Sequence, residues 1–210
     1  MFDFNELLET ANRRAALDRL NTYFIGDITP EEAELFSKTM WIIGQSRINI
    51  VRPQDKAMTI FINSLGGDVS AGFAIMEMVY RLRREYQIPI TMIVTGVAYS
   101  MAAVVLQSAN HRVMGELSTL MLHSPSWVLT GRDAQIFQDY ERLAESYREQ
   151  LGSIFARRTG YKTQAWWIKF IYSERDRFLT AKECLQMGLV DEVTPILLGD
   201  DNHVSKDSAR

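Results

Sequence analysis

From Tyr86 to Asn110 the chain carries no charged side chain. A run of this length could cross a bilayer, for which about twenty apolar residues suffice as a helix. Its interior argues against that. Pro89, Thr91, Thr95, Gly96, Ser100, Gln107 and Ser108 interrupt it, and the β-branched cluster ITMIVT ahead of Gly96 has the composition of a short buried strand. The segment is expected to form a strand, a glycine turn and a helix of small residues, GVAYSMAAVVL, inside a protein core. Ser100 then falls at or beside a helix N-terminus, where unpaired backbone N–H groups and the helix dipole favour negative charge. Such a seat suits an acyl-transfer serine.

The same order occurs just upstream. AMTIFIN reads as a continuous apolar strand, SLGG as a turn, and DVSAGFAIMEMVYRLRRE as a helix with Asp68 near its start. Strand, turn and helix repeated in this way predict an α/β fold with parallel strands and functional loops at their carboxyl ends. Both turns should then face one pocket.

Around these units, residues 4–20 place Phe4, Leu7, Leu8, Ala11, Ala15 and Leu20 at roughly helical spacing. TYFIG reads as a strand, and Thr29 caps a helix with Pro30 at its first position and acids in its first turn. STLMLH is a strand ending at His123. From Arg132 to Arg158 a narrow stripe of Ile136, Tyr140, Leu143, Tyr147, Leu151 and Ile154 predicts a long helix that packs on its own domain or on another subunit. Gly160 closes it, the aromatic AWWIKFIY follows, and Thr180 caps a short helix before a final strand. No Pro-, Gly- or Ser-rich linker divides the chain. The expected organisation is an N-terminal segment over 1–21, one domain over 22–198 and a polar, disordered tail over 199–210.

Of the 210 residues 47% are hydrophobic, enough for a substantial core, and the formal charge of −3 gives no polyanion-binding surface, so no nucleic-acid partner is expected. One cysteine, Cys184, excludes an internal disulfide and supplies no zinc pattern. The N-terminus has no basic region followed by an apolar core. A soluble cytoplasmic protein that neither enters a membrane nor binds a metal is the expectation.

Ser100, His123 and Asp176 are candidates for nucleophile, base and orienting carboxylate, each at a strand end or turn. A serine hydroxyl becomes a good nucleophile when an imidazole takes its proton, and a carboxylate fixes that imidazole's tautomer. Each residue also has an ordinary reading: close helix packing for Ser100, a buried and satisfied histidine for His123, a solvated or ion-paired charge for Asp176. His111 is expected in a solvated turn, and His203 lies in the tail. SLGG at 64–67 is either a tight turn or an oxyanion loop, because paired glycines let backbone N–H groups face a ligand. The GxSxG elbow is absent, which disfavours an α/β-hydrolase.

FIGDI, IFINSLGGDVSAGFAI, GVAYSMAAVV, LMLHSP and ERDRFLTAKECLQMGLVDEV, in this order from about Tyr23 to Val193, resemble the Clp protease proteolytic subunit. The resemblance implies the fold shared by Clp peptidases and crotonases, strand-turn-helix units with a protruding handle helix over about 132–158. It also implies a serine endopeptidase that needs no cofactor. By position, Ser100 would be the nucleophile, His123 the base and Asp176 its partner, with the backbone N–H groups of Gly67 and Met101 as oxyanion hole. Glu174 and Arg175 would be ring-contact residues coupled to the site. The implied partners are further subunits, homo- or hetero-oligomeric in two stacked heptameric rings, an AAA+ unfoldase and polypeptide substrates.

The sequence departs from the family pattern in places. Leu65 stands where proline is usual, and Tyr99 and Ala102 are bulkier than the usual residues beside the nucleophile, which is expected to narrow the pocket or change the preferred side chain. The gate-like N-terminal stretch is atypical, and Thr59 replaces an aromatic residue of the docking groove while Phe61 keeps one. A catalytically silent ring subunit, a phage-type maturation protease of the same fold and a crotonase-type acyl-CoA enzyme stand as alternatives.

Overall fold

The structure, a computed structural model, describes residues 21–125 and 134–196, with side chains from 137 onward in the second stretch. The helix expected over 4–20 and the tail over 199–210 lie outside the described residues. The elements are β1 (Thr22–Ile25), α1 (Pro30–Ser46), β2 (Met58–Ser64), α2 (Val69–Arg84), β3 (Ile90–Tyr99), α3 (Met101–Leu106), β4 (His111–Gly115), β5 (Thr119–Leu122), α4 (Ala134–Thr159), α5 (Gln164–Ile171), β6 (Arg177–Thr180), α6 (Ala181–Gln186) and β7 (Glu192–Thr194). Strands β1, β2, β3, β4 and β7 form a parallel sheet in that order, while β5 joins the far end of β3 in parallel and β6 pairs with β5 antiparallel. This is the α/β architecture that the repeated units predict.

Local chemistry sets the helix starts. Thr29 accepts from the Glu32 N–H, Asp68 from the Ala71 N–H at 2.7 Å, and Thr163 from the Trp166 N–H. Thr180 and Glu183 form a reciprocal capping box, which satisfies two helix-end donors. Between the helices and the sheet lies one core, in which Phe36, Ile60, Ile62, Ile75, Met92, Val94, Phe155 and Trp167 are wholly enclosed. The Phe155 and Trp167 rings stack at 5.2 Å, so the base of α4 and the aromatic α5 are one packing unit. Trp166 covers this unit from outside, stacked on Phe170 at 4.8 Å.

Gly96 does not make the expected turn. It takes φ +100 inside β3, which pairs with β4 up to Val94 and with β5 from Val97. A Cβ at Gly96 would stand 2.7 Å from Asn63 Oδ1, and that oxygen accepts from the Val97 N–H. Glycine therefore lets one strand change partners without ending.

His111 likewise does not sit in a turn but opens β4, with its Nε2 3.0 Å from Glu192 Oε2. Charge conceals this strand in the sequence. Arg112, nearly buried, donates through Nε and Nη2 to Asp191 at 3.0 and 2.5 Å, and through Nη1 to Gln107 at 2.6 Å.

The long helix divides in two. Residues 137–143 are all exposed, whereas Leu151 and Phe155 are buried. Only the C-terminal part of the stripe packs on its own domain, and its inner position is Phe155 where the spacing suggests Ile154. Buried Cys184 has its thiol pushed up to about 12 by burial, with Glu183 adding to the shift, so it is inert as a nucleophile. Among the described residues no helix is long and apolar enough to cross a membrane.

Burial alone would raise the Asp191 carboxyl, but hydrogen bonds from the Arg112 side chain and backbone outweigh it and hold the group below its ordinary 3.8. The pair's contribution is therefore complete above the ordinary carboxylate range and is lost as pH falls through the lowered folded value. Asp191→Asn strands a guanidinium with 5% of its side chain exposed. Because Asp191 itself is a third exposed, the expected loss is about 2 kcal/mol at pH 7, under the 3–5 of a fully buried pair. Denaturant unfolding of both proteins from pH 7 to 3 should show the gap narrowing below pH 4; a constant gap would remove the ion pair as its cause.

Candidate active site

β3 ends at Tyr99 and α3 begins at Met101, which leaves one residue to turn the chain. That residue is Ser100, with φ 52 and ψ −122. A non-glycine residue held there costs about 1–3 kcal/mol and persists only when its surroundings enforce it. Here the Ser100 N–H donates to Met121 O at 2.8 Å, and Gly66 presses on the turn from the other side. A Cβ on Gly66 would stand 2.7 Å from Tyr99 O and 2.8 Å from Ser100 Cβ, so only glycine permits this approach.

The second predicted loop is fixed by a contact that sequence reasoning missed. Ile28 bridges Gly67: its N–H donates to Gly66 O at 2.9 Å and its carbonyl accepts from Asp68 at 2.8 Å. These bonds use the groups flanking Gly67 and leave its own N–H over. Gly67 has φ +146, and a Cβ there would lie 2.1 Å from Ile28 O. Among the described residues the Gly67 and Met101 N–H groups donate to no backbone or side-chain acceptor, and both residues line the cleft that Ser100 lines.

Strand register brings in the other two side chains. Leu122 opposes Arg177 in the antiparallel pair of β5 and β6, so His123, just after β5, meets Asp176, just before β6. His123 Nε2 lies 2.7 Å from Ser100 Oγ, a hydrogen bond, and His123 Nδ1 lies 3.8 Å from Asp176 Oδ1. The last distance exceeds hydrogen-bond range. Asp176 is half exposed, with His123 less so. Glu174 and Arg175 are exposed in the bend before Asp176 and do not line the cleft.

The cleft holds about 90 Å³, and its apolar wall is Val69, Val104, Leu122, Leu151, Phe155 and Ile171. Phe155 and Ile171 were not among the predicted site residues; helical spacing four residues beyond Leu151 was the signal for the first. The expected narrowing by Tyr99 and Ala102 does not occur. The Tyr99 ring turns aside to Thr119, its hydroxyl 2.8 Å from Thr119 Oγ1, and packs edge-on against Phe178. Ala102 is enclosed in the core. A hydroxyl hydrogen-bonded to an imidazole beside unused backbone donors can support nucleophilic attack on a carbonyl.

The model of the Clp protease family matches residues 16–196. Over 142 residues the chain is 32% identical to an ATP-dependent Clp protease proteolytic subunit of Chlorella vulgaris, covering 67% of each protein. It is 31% identical over 144 residues to an ATP-dependent Clp protease proteolytic subunit 1 of Shouchella clausii, covering 68% of this chain and 70% of that one. A solved single-site mutant of ClpP1 from Listeria monocytogenes superposes with a TM-score of 0.69 over 91% of this chain and 95% of that chain; at 23% identity this likeness speaks to the fold. Five motifs, one sheet topology and these identities agree, and the chain belongs to the Clp protease family as a serine-type endopeptidase.

Proposed function

We propose that Ser100, His123 and Asp176 form the catalytic triad of an endopeptidase that cleaves unfolded polypeptides, with the Gly67 and Met101 amides as its oxyanion hole. The 2.7 Å contact between His123 Nε2 and Ser100 Oγ carries this reading. Ser100 Oγ attacks the scissile carbonyl carbon while His123 Nε2 takes the hydroxyl proton. The carbonyl oxygen, now negative, accepts from the two amides. As the C–N bond breaks, His123 returns the proton to the leaving amine, and a water attacks the acyl-serine by the same route to release the acid. No step calls for a cofactor. The apolar wall of the cleft suits a hydrophobic side chain next to the scissile bond.

Assembly completes the site in this reading. The protein forms stacked rings, in which the exposed part of α4 meshes with the opposite ring as a handle. Phe137, Tyr140 and Leu143, each at least 40% exposed in the single chain, are the apolar surface available for that contact. Glu174 and Arg175 hold the turn in the ring, and Asp176 moves from 3.8 Å to hydrogen-bond distance of His123. An AAA+ unfoldase delivers substrate to the chamber.

A fluorophosphonate probe, read by intact mass, should add once to the wild type and not to Ser100→Ala; equal labelling of both would remove Ser100 as nucleophile. Asp176→Asn should lower kcat on a fluorogenic peptide by about 10⁴-fold with little change in KM. Unchanged turnover would take Asp176 out of the mechanism. Leu143→Asp should convert the particle to half-size or smaller species in light scattering, and an unaltered mass would exclude the handle contact.

A further inference from the structure

The C-terminal ends of α2 and α4 flank a groove of about 1070 Å³ that shares no lining residue with the cleft. Five guanidinium groups line it, from Arg81, Arg83, Arg84, Arg157 and Arg158, against the carboxylates of Glu77 and Glu85. A local excess of three positive charges thus interrupts a chain whose net charge is −3.

We propose that this groove binds a small polyanion carrying two or more phosphate groups. Part of the charge has a structural use. Arg83 donates through Nη1 to Ser108 O and Arg158 through Nη2 to Ala109 O at 2.7 Å, which ties both helices to the carbonyls after α3. Cations are also favoured at helix C-termini. That account is incomplete. The Nε–H groups of Arg83 and Arg158 are buried without an acceptor, an expense that natural structures rarely leave unmet. Arg84 and Arg157 are exposed and have no carboxylate partner among the described residues.

The side chains also oppose one another. Burial lowers the pKa of Arg83, and burial followed by the charges of Arg112 and Arg83 lowers that of Arg158. A bound anion would relieve that repulsion. Guanidinium forks match phosphate oxygens two at a time, which neither water nor a lone carbonyl can do. The volume accepts a ligand of nucleotide size, and Tyr80 and Ile154 offer an apolar wall for a body attached to the phosphates.

Inorganic tripolyphosphate is the probe, titrated calorimetrically into the assembled protein at fixed ionic strength, with sulfate as control. The expected result is saturable binding that sulfate does not reproduce, weakened at least tenfold in Arg84→Gln/Arg157→Gln, whose exposed sites leave apo thermal unfolding unchanged. Binding of equal strength in the variant, or none to the wild type at millimolar probe, overturns the proposal. A variant that binds nothing and disperses the assembly in light scattering also overturns it, since the arginines would then meet an acidic face of a second copy. Peptidase activity is measured alongside, so that a silent Ser100 site and an empty groove are told apart.

Discussion

Everything at the site hangs on one backbone reversal that an L-residue resists. Ser100 must turn from strand to helix in a single step, and the left-handed conformation is tolerable only because a strand carbonyl, Met121 O, takes its N–H from one side and a glycine without a side chain closes on it from the other. The reversal presents Oγ to His123 and leaves the next amide, Met101, at the head of a helix with no internal acceptor. Met101 is in turn held by close packing. A Cβ on Gly72 would come within 2.3 Å of Met101 Cγ, so α2 and α3 approach each other through that glycine. The positions of the Ser100 Cβ and the Met101 amide are thus fixed by backbone geometry before any side chain chooses a rotamer.

Much of this was legible in the sequence because the signals were local. Thr29 with Pro30, Asp68, Thr180 with Glu183, and the β-branched runs of β2 and β3 each determine their own neighbourhood. Ser100, His123 and Asp176 were singled out by residue type and motif order, and the strand register brings those positions near one another. What stayed hidden was long-range. β4 opens with a histidine that reads as part of a solvated turn, since its partner Glu192, like Asp191 for the neighbouring Arg112, lies some eighty positions away. The bridge from Ile28 to the glycine loop has no local signature at all. Gly96 was misread for a related reason: a glycine that ends a strand and one that lets it change neighbours look alike until the neighbours are known.

The long helix shows the same division between local and distant information. Its stripe is continuous in sequence, yet its inner part closes the core through Phe155 and its outer part has no apolar cover within the described chain. Spacing reports that a face is apolar and cannot report whose surface it meets. Tyr147, midway along, makes the transition, with its ring 5.4 Å from Phe73 and its hydroxyl 3.1 Å from Ser70 Oγ.

The antiparallel pairing of β5 with β6 has a kinetic consequence. Its two strands are joined through the whole of α4 and α5, so the loop they close is long and its contacts are non-local. Contacts of that kind are slow to form, because closing the loop costs entropy before the pairing rewards it. During synthesis Ser100 and His123 precede the segment that supplies Asp176 and the last turn of the site. A nascent chain therefore presents Ser100 and His123 before Asp176 has arrived, and the arrangement of these three side chains exists only once β6 has paired with β5.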